Sequence, residues 1–189
     1  MATDRGGASG PRLLAIAALL DRLSGWTGRT LSWLSLFMVV VTFLVVVLRY
    51  ILDLGWIAMQ ESVTYMHAAL FMLGAAYTLE RNGHVRVDII YQRMSRRRRA
   101  WVDLLGTLLL LTPVCGFIAW VGWEYVAESW SVREGSREAG GIPAVYLLKT
   151  LILLMPLLVS LQGLSVVLRN ALFLAGVDGA LAAEGDEDG

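Results

Sequence analysis

The chain has 189 residues, 57% of them hydrophobic and only 17% charged, where an average soluble domain carries about 25% charge. Sixteen Lys and Arg balance sixteen Asp and Glu, so no net field draws it toward nucleic acid, and the apolar content excludes a disordered chain. The charges crowd between four nearly uncharged stretches, which excludes an ordinary soluble globule and marks an all-α membrane protein.

The first predicted element is amphipathic. Leu13, Leu14, Ala17, Leu20 and Leu23 recur at helical spacing, with Arg12, Asp21, Arg22 and Arg29 at the polar positions. This pattern predicts a helix on the membrane surface that leads into the first span. The run after Arg12 has the look of a signal peptide. Against that, Asp21 and Arg22 follow at once, and no small-x-small cleavage pattern appears before a mature domain.

A bilayer core about 30 Å thick needs about 20 helical residues. The apolar runs at residues 31–49, 63–79, 104–126 and 144–168 meet that need, so four transmembrane helices are expected. No period-two alternation supports a barrel. Between the first two runs, Ile51, Leu52, Leu54, Trp56, Ile57 and Met59 are too apolar for a solvated loop, yet Asp53, Gly55, Gln60 and Glu61 interrupt any span. A second interfacial segment, anchored by Trp56, fits both facts. Residues 1–175 then form a single four-span domain. The tail at 176–189, ending AAEGDEDG, reads as disordered and acidic.

Orientation follows from the Lys and Arg in the connections. Twelve of the sixteen fall on one side if the chain crosses four times: Arg5, Arg12, Arg22, Arg29, Arg81, Arg86, Arg93, the run Arg96, Arg97, Arg98 and Arg99, and Arg169. Only Arg49, Arg133, Arg137 and Lys149 fall on the other. Both termini and the 80–103 connection are expected in the cytoplasm. The arginine run fixes that topology and meets anionic headgroups.

Few residues offer chemistry. Cys115 is alone, so there is no intramolecular disulfide and no CxxC metal site. No catalytic triad, phosphate-binding glycine loop or metal constellation is visible, so no enzyme activity, cofactor or metal is expected. His67 and His84 lie 17 residues apart, about 25 Å along one helix, too far to ligate one haem. His67 is expected to make a polar contact between helices. The spans carry no central carboxylate of the kind used for ion relay, which points to an accessory subunit over an independent carrier. Pro113 and Pro156 are expected to kink spans three and four. Gly74 with its neighbouring alanines makes span two a candidate for close packing. Glu80-Arg81-Asn82-Gly83-His84-Val85-Arg86-Val87-Asp88 joins span two to the basic connection. Its Asn82-Gly83 is a helix-ending element.

Residues 56–88 resemble the signature of the small membrane subunit of tripartite ATP-independent periplasmic (TRAP) transporters, the DctQ-like family. The matching parts are Trp56 and Glu61 before span two, Gly74-Ala75-Ala76 within it, and Gly83-His84-Val85-Arg86-Val87-Asp88 after it. Family members show two adjacent acidic residues near Glu61, and here Gln60 replaces the first.

The resemblance implies a non-catalytic subunit in a bacterial inner membrane, partnered by a large multispan permease subunit and a periplasmic substrate-binding protein. Such systems take up organic acids on the sodium gradient, with substrate and sodium sites in the large subunit. By that resemblance Arg86 and Asp88, with His84 beside them, hold the cytoplasmic turn, while Trp56 and Glu61 set the outer end of span two. A haem- or quinone-bearing anchor of a redox complex, and a small independent channel, are the alternative readings.

Overall fold

The computed structural model describes residues 9–84, 91, 93–177 and 180. Among these there is no strand, and five helices account for nearly all of the backbone. They are α1 (Ser9–Ile51), α2 (Ile57–Glu80), α3 (Arg96–Gly106), α4 (Thr112–Ser131) and α5 (Val145–Leu174), with one π turn, Thr107–Leu111, joining α3 to α4. Three stretches are long and apolar enough to cross a membrane: Gly10–Ile51, Arg96–Ser131 and Val145–Leu174. α2 is not among them, although its 24 residues reach about 36 Å.

α5 is the centre of the arrangement. α1, α2 and the α3–α4 helix each pack on it, and α1 also packs on α2. The packing faces are built from small residues, as membrane helices require when apolar side chains gain nothing by leaving lipid. On α1, Gly10, Ala17, Ser24 and Gly28 are buried at sevenfold and fourfold spacing, while Ile16, Leu19, Leu23 and Trp26 face outward. The expected amphipathicity is kept in part: Ala17 is buried, Leu13, Leu14 and Leu20 are half-buried and Arg12, Arg22 and Arg29 are exposed, while Leu23 faces outward and Asp21 is drawn inward. At Gly28 a Cβ would stand 2.1 Å from the Tyr77 ring, so only glycine allows α1 and α2 this close. Gly122 on α4 likewise faces Ile152 of α5, at 2.9 Å from an added Cβ.

The helix boundaries differ from the expected ones. The N-terminal segment is not a separate surface helix, because α1 runs unbroken from Ser9 to Ile51, about 65 Å, and its early turns pack along α5. Residues 49–62 are not one separate element, and Leu52, Leu54 and Trp56 between the helices are exposed. Helix continues to Ile51 and resumes at Ile57, leaving a short connection with Asp53 at φ 55°. The arginine run is not a loop but the first turn of α3. Pro113 is absorbed by the π turn just before it, where the Thr112 hydroxyl donates to the Thr107 carbonyl at 2.9 Å. Pro156 is fully buried within continuous α5.

Helix ends follow local chemistry. α2 closes as the Asn82-Gly83 pair demands: Asn82 takes φ 51°, its N–H reaches the Leu79 carbonyl, and the Gly83 N–H reaches the Thr78 carbonyl. α4 and α5 end in the same double bond pattern, through Arg133 (φ 46°) and Gly176 (φ 83°). At Arg133 a side chain occupies the left-handed region that glycine usually fills.

Candidate functional site

Two polar clusters tie the helices together, one at each end of the bundle. At the first, Asp21 of α1 gathers groups from α5. One carboxylate oxygen accepts from Gln162 Nε2 at 2.9 Å and Ser165 Oγ at 2.6 Å; the other accepts from both Arg169 Nε, at 2.9 Å, and an Arg169 terminal nitrogen. Ser24 donates to Gln162 Oε1 at 2.7 Å, which satisfies both ends of that amide. Gln162 and Ser165 are fully enclosed. This cluster is absent from the expectations above. Its signal in the sequence is a glutamine and a serine inside span four and an aspartate three residues before a serine in α1.

At the second end, Glu61 opens the second turn of α2. It accepts from the Ser136 hydroxyl and from the Ile142 N–H at 2.6 Å. The 132–144 connection is thereby held across the start of α2. At Gly141 a Cβ would meet Ser136 Oγ at 2.4 Å and Glu61 Oε1 at 2.8 Å, so the connection passes too close for any side chain. The Ser136 hydroxyl, then the Ile142 N–H, hold the Glu61 carboxyl below its ordinary value, against a smaller opposing effect of burial.

Glu134 repeats the device between α4 and α5. It accepts from Lys149 Nζ and from Ser129 Oγ at 2.7 Å, and the Lys149 ammonium, followed by the Ser129 hydroxyl, lowers its pKa. Lys149 also sits 3.9 Å from the centre of the Tyr125 ring, and Trp130 donates to Thr150 at 2.9 Å. The Tyr65 hydroxyl, one turn beyond Glu61, is buried without a hydrogen-bond partner among the described residues.

Of the residues singled out from the sequence, Glu61 is therefore a joint between elements, while Trp56 caps α2 with its ring exposed and makes no side-chain capping bond. Gly74 has nothing within 4 Å of an added Cβ, so the close approach of α1 and α2 lies at Gly28 instead. His67 does not bridge helices of this chain. It is exposed, with its ring 6.3 Å from that of Phe71, and the two share an outward stripe of α2 with Thr64. His84 is exposed beyond the end of α2 and is not brought to His67. Arg86 and Asp88 lie outside the described residues, as does nearly all of the acidic tail.

Arg96, Arg97 and Arg98 are exposed. Arg99 turns inward, donating to the Met94 carbonyl at 3.1 Å and lying over the Tyr91 ring. Among the described residues no cluster of three or more His, Cys, Asp or Glu is placed to hold a metal ion.

Comparison with known proteins gives one family. The family model described as tripartite ATP-independent periplasmic transporters, DctQ component, matches residues 38–173, from the middle of α1 to the last turn of α5. No curated protein and no solved structure matches the chain significantly. The match takes in Glu61, Glu134, Gln162, Ser165 and Arg169 and covers well over half the chain, so this is a membrane protein of the DctQ family, the small permease component of TRAP transporters.

Proposed function

We propose that the chain braces the large permease subunit of a sodium-driven TRAP transporter, which takes up organic acids handed over by a periplasmic binding protein. In this reading it is a non-catalytic subunit of the bacterial inner membrane with α2 as a fourth span and both termini in the cytoplasm. The excess of arginine at the Asp21 end supports that orientation. α2 falls short in hydropathy because α1 and α5 enclose it, so little of its surface needs to meet lipid.

The observation that carries the bracing role is the one stripe of α2 left open. Thr64, His67 and Phe71 face outward, Phe71 at 75% exposure, near the middle of the helix. An imidazole facing lipid at that depth is costly, and a partner helix offering a hydrogen bond removes the cost. Arg86 and Asp88 hold the turn beyond this helix, with His84 beside them.

A His67→Cys chain, made in a Cys115→Ser background, is expected to form a disulfide with cysteines introduced on the large subunit and to resist labelling by a lipid-soluble maleimide. Free labelling with no cross-link at any partner position would overturn the assignment. Membrane-impermeant thiol reagents should reach Arg137→Cys, but not Ser95→Cys, from outside intact cells. Arg86→Ala is expected to lower recovery of the complex while the soluble binding protein keeps its affinity for substrate.

A further inference from the structure

One strongly charged patch lies apart from both polar clusters. Arg96, Arg97 and Arg98 open α3 with no acidic residue in its first turn. A helix N-terminus already carries partial positive charge from its free N–H groups, so three cations there work against the helix that bears them. Arg99 is engaged with Met94 and Tyr91, and the nearby Asp103 is turned to the Tyr91 hydroxyl at 2.5 Å. The outward arginines are left facing their surroundings.

Beyond these arginines the helix surface is apolar and open. Arg97, Trp101, Leu105 and Leu108 lie at i, i+4, i+8 and i+11, and Arg98, Val102, Leu105 and Leu109 run beside them. All are exposed, Trp101 at 48% and Leu109 at 66%. No carboxylate falls on this stripe. From Arg97 to Leu109 the helix rises about 18 Å, roughly the depth from headgroup to the middle of a bilayer. The order is cation, then an indole of the kind found at membrane interfaces, then leucines.

We propose that this face of α3, continued on the π turn after it, is a binding site for one anionic phospholipid. Its phosphate sits on Arg97 and Arg98, its glycerol region meets Trp101, and an acyl chain lies along Leu105, Leu108 and Leu109. Charge selects an anionic lipid over a zwitterionic one, and the aligned apolar stripe distinguishes a site from general attraction of a basic surface to a membrane. The inference rests on the reading of residues 96–131 as a span.

Native mass spectrometry of the purified full-length chain, with phosphatidylglycerol or phosphatidylcholine added at equal concentration, tests it. One phosphatidylglycerol is expected to be retained in clear excess over phosphatidylcholine. Arg97→Gln with Arg98→Gln should weaken that retention roughly tenfold or more, and Trp101→Ala with Leu105→Ala should weaken it with all arginines in place. Arg133→Gln with Arg137→Gln, at the opposite end, should leave it unchanged.

Equal retention of both lipids, equal loss from the two arginine pairs, or indifference to Trp101 and Leu105 would each overturn the site. So would a cross-link from Trp101→Cys to the large subunit, which would give this face to a protein. Co-purification with the large subunit, read on the same variants, reports on the bracing role separately, because α2 carries that reading.

Discussion

The two ends of the bundle are fastened differently. At the Asp21 end, every side chain in the cluster belongs to a helix, Asp21 and Ser24 to α1 and Gln162, Ser165 and Arg169 to α5, and Arg169 also donates to the Ala180 carbonyl beyond α5 at 3.3 Å. At the Glu61 end, the carboxylate of a helix holds a connection, through Ser136 and the Ile142 N–H. The first joint is largely enclosed, so its groups have no water to replace a lost partner. The second is open enough for water to do so. One end behaves as a weld between helices, the other as a latch on a loop, and the latch faces the side proposed to meet the binding protein.

Asp21→Asn is expected to have the largest effect, because it leaves the Arg169 guanidinium without its counter-charge in a part-buried site. A fully buried pair loses about 3–5 kcal/mol when one partner goes; with about a fifth of each side chain exposed, about 2–3 kcal/mol is expected here. Thermal unfolding in detergent measures it. Asp21→Leu with Arg169→Leu should cost less than Asp21→Asn alone. If it costs as much, the joint is not an ion pair in the energetic sense.

Gly28→Ala comes next. A methyl 2.1 Å from the Tyr77 ring forces α1 and α2 apart, at about 1–3 kcal/mol. Gly74→Ala is its control and should not destabilise, since its Cβ meets open space and alanine favours helix. Equal loss from both would place the close contact at the wrong glycine.

Much of the fold is legible in the sequence, and the reasons for the exceptions are physical. The apolar runs mark helices because lipid demands uninterrupted hydrophobicity: the first two lie inside α1 and α2, the third crosses α3, the π turn and α4, and the fourth lies in α5 but for its first residue. Asn82-Gly83 marks a helix end because few residue pairs accept the left-handed turn so readily. The packing face of α1 is harder to read, since Leu23 invites the soluble-protein rule of large residues inside and yet is exposed. In a membrane bundle small residues approach and large ones face out, so Gly10, Ala17, Ser24 and Gly28 are the pattern to follow. Glu61 stands out by family resemblance, but its partners lie 75 and 81 residues away in a connection whose course no local pattern encodes.

Acid should open the latch. The fold holds the Glu61 carboxyl below the ordinary 4.5, through Ser136 first and Ile142 second, so ionisation and latching favour each other. That contribution is fully present above about pH 4.5 and is lost as pH falls through the lower value in the folded chain. Glu134, lowered by Lys149 and then Ser129, shifts in the same direction. The protection of the Ile142 amide against hydrogen exchange, taken relative to its intrinsic rate at each pH, is expected to fall across that window. Glu61→Gln should lower it at neutral pH and remove much of the acid response.

The smallest effects come from two hydroxyls, one at each end, and they separate the two kinds of joint most finely. Ser165 is fully enclosed and has partners, Asp21 at 2.6 Å and the Ala17 carbonyl at 3.2 Å. Ser165→Ala removes a donor to a charged acceptor and is expected to cost about 1–2 kcal/mol. Tyr65 near Glu61 carries a buried hydroxyl with no partner among the described residues. Tyr65→Phe removes a group that was desolvated without return, so stability should hold or rise by up to about 1 kcal/mol. Thermal unfolding of the two variants side by side reads the difference. Equal destabilisation would mean that the Tyr65 hydroxyl has a partner in the membrane, and a clear loss from Tyr65→Phe in the assembled complex alone would place that partner on the large subunit.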